Sequence, residues 1–197
     1  MSNVVVRRVE SKKDLKKFVK VPFHVHRDHP EWVPPLIMER MDFLNRKKNP
    51  YFDHAEVELL IAERDGVSVG RISAQIDDRW DEYRGGNDGQ FGFFESINDP
   101  EVANALLDAG CEWLAGKGRE KVYGPMDFTT NDEIGIQIEG FDIRPVILEN
   151  CHQPYIKDLV EGNGFTKAMD LLMWHLEMGN LAKGLEFHPA IMEAAQK

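Results

Sequence analysis

Apolar residues recur at spacings of two and of three to four along this chain, and the two periods divide it into short strands and helices. Val4, Val5, Val6 and Val9 predict a first strand. Ser11 then caps a helix over 12–20 whose apolar face is Leu15, Phe18 and Val19. Pro22 ends or bends that helix. Pro34 and Pro35 open a second helix over 36–44, with Ile37, Met41 and Leu44 on one side. The clearest local pattern follows. Residues 56–64 read as a strand, Asp65 and Gly66 as a two-residue hairpin turn, and 67–77 as the returning strand. In the second arm Gly70, Ile72, Ala74 and Ile76 share a face, which marks it as the core side. A polar loop over 79–89 leads onward.

The pattern is densest over 91–118. Phe91, Phe93 and Phe94 are aromatic strand formers. Asp99 is a good N-cap, and Pro100 stands where the first helical residue belongs. Val102, Leu106, Ala109 and Trp113 fall on one helical face, with Ala105 and Leu114 beside it, and Gly116 and Gly118 stop the helix. A strand running into a helix N-terminus is where many folds hold phosphate, so this junction is the first place to look for function. A short strand over 121–123 is halted by Gly124 and Pro125. The stretch 126–145 is rich in turn formers and reads equally as a binding loop or as solvated surface. A short helix over 155–161 ends at 162–164, a last strand is expected over 169–178, and the end of the tail, 185–197, reads as helical.

Composition narrows the function classes. A chain of 197 residues with 42% hydrophobic and 29% charged content reads as one globular domain of ordinary size, or one plus a fragment. It has no apolar run long enough to span a membrane and no secretory signal at its N-terminus, and its 2 cysteines make no disulfide framework, so a cytoplasmic location is expected. A net charge of −10 argues against nucleic-acid binding. His24, His26 and His29 have the donor chemistry of metal ligands, but structural zinc sites want four ligands, usually including cysteine. No metal site is expected, and these histidines read as exposed or half-buried loop residues.

The element order β-α-α-β-β-β-α-β-α-β resembles the GNAT superfamily of acyl-CoA N-acyltransferases. WVPPL at 32–36, NPYFDHAEVELLIAERDGVSVGRI at 49–72, GFFE at 92–95, GPMDFTTNDE at 124–133 and the Gly-Phe pair at 164–165 are similar to one bacterial branch, which includes bacterial ceramide synthases. The resemblance implies an α/β (α+β) fold: a mixed, mostly antiparallel sheet with helices on both faces. It implies a GNAT-like domain over 1–178, with 179–197 as the start of a join to a second GNAT-like half or as a homo-oligomer contact. It also implies acyl-CoA or acetyl-CoA as co-substrate, and a small-molecule or lipid-like amine, such as a sphingoid base, as acceptor.

Members of the superfamily hold the CoA pyrophosphate on a Q/R-x-x-G-x-G/A loop at the N-terminus of the central helix. The corresponding residues, 96–102, contain no glycine, arginine or lysine. Pro100 withdraws an N–H, and Asp99 and Glu101 place carboxylates where phosphates would lie, so a degenerate pyrophosphate loop is expected. The tyrosine that serves many members as general acid is replaced here by Val160. The resemblance leaves Phe94, Glu95 and Ser96 as the strand edge for the CoA arm, and Glu95 and Glu133 as general-base candidates. Asn131, Asp132, Glu133 and Tyr155 remain for polar substrate contacts. Three readings stand: an N-acyltransferase, a non-catalytic half-domain of the same fold, or a ligand-binding protein with a hydrophobic slot between its strands.

Overall fold

In the computed structural model, which describes residues 3–174, the hairpin forms where its turn chemistry predicts. β1 (Val5–Arg8) lies at the sheet edge, and β2 (Ala55–Arg64) and β3 (Val67–Asp77) form the hairpin. Asp65 and Gly66 turn the chain at φ 52° and 78°. Two positive φ values give the twist a tight hairpin needs, and Asp-Gly adopts them at low cost. β4 (Asp88–Ser96) pairs antiparallel with β3, and β5 (Lys121–Tyr123) lies parallel to β4. The described strands make one sheet in the order β1-β2-β3-β4-β5, mixed and mostly antiparallel.

Among the described residues five α-helices accompany it: α1 (Lys12–Val25), α2 (Ile37–Phe43), α3 (Asp78–Arg84), α4 (Pro100–Gly116) and α5 (Ile156–Gly162). They cover both faces. On one, α1 and the α2 region bury Phe18, Leu59, Ile61, Phe93 and Phe128. On the other, α4 and α5 bury Leu60, Ile72, Phe91, Phe94, Leu106 and Ile156. Enclosure on both sides explains why Ser73 and Gln75 are as inaccessible as their apolar neighbours. These two polar residues satisfy each other: the Ser73 hydroxyl donates to Gln75 at 2.6 Å, and the Gln75 amide donates to the Met126 carbonyl at 2.7 Å. The alternation seen in β3 therefore separates two interior faces.

β4 carries a bulge. Arg71 stands opposite Glu95 and Ser73 opposite Gly92, so Phe93 and Phe94 together face the single residue Ile72. Phe93 takes φ 48° to make this possible. The extra residue brings Phe91 and Phe94 to the α4 side, and leaves Phe93 and Glu95 facing α1. Beside the bulge the chain after β5 crosses close over Gly92, where a Cβ would collide with the Met126 carbonyl.

Several local expectations are corrected. α1 does not end near residue 20 but runs through Pro22 to Val25, because Phe18, Val21, Pro22 and Val25 continue its buried stripe. The stretch expected as a polar loop over 79–89 contains α3, capped by Asp77 at its start and by Gly85 at φ 63° at its end; none of its residues is buried, so it has no apolar face to betray it. The buried stripe of α4 is Val102, Ala103, Leu106, Leu107, Gly110 and Leu114, rotated away from Ala109 and Trp113. Its cap is as expected: the Asp99 side chain accepts from the Glu101 amide, and Pro100 opens the helix.

Residues 167–174 begin a second unit and take no regular structure, so the strand expected over 169–178 is absent from its described part, 169–174. The rest of that strand and the tail over 179–197 lie outside the described residues. Among the described residues no helix is long and apolar enough to cross a membrane.

Candidate active site

β4 and β5 are joined only over Asp88–Lys121, Gly89–Val122 and Gln90–Tyr123. Beyond that, β4 continues to Ser96 while β5 stops at Tyr123, and the strands part. The parting leaves the far end of β4 unpaired by β5, and the charged side chains converge there.

Glu95 is the centre. It is 8% exposed on the α1 side of β4, and its Oε2 lies 2.9 Å from Nε2 of His26 at the end of α1. Arg71 Nη2, from β3, stands 4.0 Å from Oε1. Burial pushes the Glu95 carboxyl up, but His26 and Arg71 outweigh it and hold the group below the usual carboxylate range. The imidazole of His152 is 7% exposed, and burial lowers its pKa.

Arg71 is held in an unusual way. Its guanidinium lies over the rings of Phe18 and Phe93, at 5.1 and 5.6 Å from their centroids. Its Nη1 donates to the Phe18 carbonyl at 3.3 Å. That carbonyl is free because Pro22, four residues on, has no N–H to complete the helical bond. The proline inside α1 thus opens an acceptor for a cation on the neighbouring strand.

A second layer closes the cluster. The Asp127 Oδ1 accepts from the Phe93 amide at 2.6 Å and so holds the bulge. Burial, helped by nearby Glu133, pushes its carboxyl up to about 7. Glu133 pairs with Arg40 of α2, and its carbonyl accepts from the Asp127 amide at 2.8 Å. The Tyr155 hydroxyl, at the start of α5, donates to the Ser96 carbonyl at 2.9 Å, and burial pushes it up to about 12.

The residues singled out in the sequence therefore divide. Glu95 and Glu133 belong to one charged network, joined through Arg71, Asp127 and Arg40. Tyr155 reaches the end of the same strand. Phe94 faces away, into the α4 core, and Ser96 is fully buried, its hydroxyl donating to the Ile97 carbonyl. Asn131 is exposed, and Asp132 is turned inward to its own turn, accepting from the Thr129 hydroxyl at 2.7 Å. Val160 packs in the apolar core. Arg71, Asp127 and His152 were missed, and His26, read as an exposed or half-buried loop residue, is instead buried at the end of α1. For His26 a signal existed: it follows Phe18 and Pro22 at helical spacing, which puts it on the core face of α1 if the helix continues. Among the described residues no cluster of His, Cys, Asp and Glu is placed to hold a metal ion.

At the other candidate place, the N-terminus of α4, residues 96–102 supply no cation of their own, but one reaches them from β2. Arg64, at the end of β2, donates to Asp99 at 2.5 Å and to Glu101 at 2.8 Å. The two carboxylates are tied to a cation 35 and 37 positions away in the chain.

The comparisons with known proteins agree with this architecture. No family model matches the chain. It is 41% identical over 167 residues to a bacterial ceramide synthase from Caulobacter vibrioides, covering 84% of this chain and 44% of that one. It is 38% identical over 187 residues to the protein YghO of Escherichia coli, covering 95% and 47%. The chain thus spans less than half the length of the curated relatives it matches. Among solved structures, the aminoglycoside acetyltransferase AAC(6')-Iy with a bisubstrate analogue superposes with a TM-score of 0.53 at 15% identity, over 89% of this chain and 99% of that one. Glucosamine-6-phosphate N-acetyltransferase from Arabidopsis thaliana does so with a TM-score of 0.53 at 12% identity, over the same shares. The chain has the GNAT fold and is a sequence relative of the bacterial ceramide synthase.

Proposed function

We propose that this chain is one half of an acyl-CoA-dependent N-acyltransferase acting on a lipid-like amine, with Glu95 as general base. One observation carries the reading: a buried, ionised carboxylate with one oxygen that receives no hydrogen bond among the described residues stands on β4 where that strand has left β5. The acyl-CoA arm would lie along the backbone edge of Phe94, Glu95 and Ser96. The amine nitrogen attacks the thioester carbonyl, the C–N bond forms, and the C–S bond breaks. Glu95 takes the proton from nitrogen, directly or through one water. The thiolate takes its proton from solvent. Tyr155, pushed up to about 12, holds its proton more tightly than a thiol at about 8.5, and serves instead to tie Ser96 to α5. Glu133 and Arg40 would line the acceptor side.

A second reading, a non-catalytic half-domain, has its own observation. The N-terminus of α4 is closed by Asp99, Pro100 and Glu101, and both Nη groups of Arg64 are taken up by those carboxylates. A pyrophosphate there would have to displace them. Losing two or three charge-assisted hydrogen bonds, at roughly 1.5–3 kcal/mol each, turns a micromolar site into a millimolar one.

Calorimetric titration of the chain with acyl-CoA separates the readings. Weak binding that tightens when Asp99, Pro100 and Glu101 are all replaced by glycine supports a degenerate loop, with the second half needed for cofactor. Tight binding by the unaltered chain removes the degenerate loop and makes this half an acyltransferase by itself. Weak binding by both favours the non-catalytic half-domain.

A further inference from the structure

We propose that His26 is the positioning residue of Glu95: its Nε2–H occupies one carboxylate oxygen, so that the other is the one that takes the acceptor's proton. The inference rests on the reading of Glu95 as general base.

The geometry of the imidazole decides its form. The His26 side chain is 0% exposed, and its ring stacks on Trp32 with centroids 5.2 Å apart and planes 13° from parallel. One ring nitrogen, Nε2, meets Glu95 Oε2 at 2.9 Å. The other, Nδ1, is buried and has no hydrogen-bond partner among the described residues. An unpaired lone pair is easier to bury than an unpaired N–H, and an ionised carboxylate can only accept. Both arguments put the proton on Nε2 and leave Nδ1 bare. His26 is a fixed donor.

Fixing Oε2 has a consequence for Oε1. Among the described residues nothing donates a hydrogen bond to Oε1, and Arg71 Nη2 approaches it only to 4.0 Å. The carboxylate is thus divided into a held oxygen and a free one. The groups facing Glu95 come from every element around it. They are His26 from α1, Arg71 from β3, and Cys151, His152 and Tyr155 from the chain entering α5. Asp127, Glu133 and Arg40 surround Arg71 in turn. Among the described residues only His26 makes a hydrogen bond to the carboxylate.

Two measurements test this, and they fail independently. The first needs no turnover. Nitrogen NMR of the imidazoles in the full chain at neutral pH is expected to show His26 with a pyrrole-type Nε2 and a pyridine-type Nδ1. The His26→Gln variant identifies the signals by their loss. A proton on Nδ1 overturns the proposal whatever the protein catalyses. The second uses palmitoyl-CoA with a long-chain primary amine. His26→Phe is expected to move the acid limb of the kcat/KM profile up by about one pH unit, since the carboxylate loses its donor. His26→Gln, whose amide can donate from the same place, is expected to return the limb to its original position. Equal losses in both variants with an unmoved limb would mean that His26 only fills space, and would overturn the proposal. Turnover undiminished in Glu95→Gln would instead remove the reading of Glu95 as base, while the NMR result would still stand or fall alone.

Discussion

The N-terminus of α4 and the inner face of β4 are both places where carboxylates meet an arginine, and they differ in almost every other respect. At the helix, Asp99 and Glu101 lie two residues apart and Arg64 reaches them across the surface. The Glu101 side chain is 60% exposed, so water already solvates much of the charge. On β4, Glu95 meets Arg71 and His26 where little water enters, and the three come from three separate elements. Exposed pairs contribute little to stability and are easily exchanged for water or ligand. Buried groups are costly to leave unpaired, so their geometry is held by everything packed around them. The helix terminus is a cap with ion pairs added, whereas the β4 cluster is a preorganised set of buried polar groups in which, among the described residues, one carboxylate oxygen receives no hydrogen bond. Chemistry needs the second kind of arrangement, and for that reason the functional reading moves from the helix terminus to the strand.

Four variants sharpen that contrast, in order of expected effect. The largest is Glu95→Gln, which keeps an oxygen for His26 to donate to but removes the base. Steady-state kinetics should show kcat lower by about 10²–10⁴-fold in a variant that still folds. A near-normal kcat would move the base elsewhere.

Asp127 comes next, through pH. Its carboxyl is raised to about 7 in the folded chain, against about 3.9 in an unfolded one. Between those values the folded state binds a proton that the unfolded state has lost. The stability contributed is full below about 4 and is lost as pH rises through about 7. Allowing for partial exposure, urea denaturation should show a loss of about 1–3 kcal/mol across that window, relative to Asp127→Asn, which should lack it. A parallel pH dependence in the two proteins would place the proton elsewhere.

Gly92→Ala should cost about 1–3 kcal/mol in the same measurement, because the Met126 carbonyl passes where the new methyl group would sit. A neutral result would show that the crossing chain moves aside freely. The smallest effect belongs to Arg64→Ala. With its partners at the surface, no resolvable change in the denaturation midpoint is expected. A large loss would show that the helix terminus is as tightly organised as the strand.

How much of this was legible depends on distance along the chain. Asp65-Gly66 identified the hairpin because a two-residue turn is decided by its own φ angles. Asp99 and Pro100 identified the start of α4 for the same reason. Both caps of α3 were present in the sequence, at Asp77 and Gly85, but an element with no buried face offers no periodicity to connect them. Pro22 was misleading: its missing N–H weakens the helix locally, yet the buried stripe from Phe18 to Val25 carries the helix through. Glu95 was named from its place at the end of a strand; the partners that set its character were not.

The sequence by itself determined the strands, the tight turn, the cap of the central helix and the absence of a glycine-rich loop, since each is settled by residues within a few positions of one another. Only the tertiary structure decided that Glu95 faces a histidine 69 residues away, and that Arg64 reaches the carboxylates of α4. It also decided that the carbonyl freed by Pro22 receives an arginine 53 residues further on. Hydrogen bonds and charges act over a few ångströms of space whatever the separation in sequence. A site built from them exists only once the bulge in β4 and the continuation of α1 have brought their side chains to the same face.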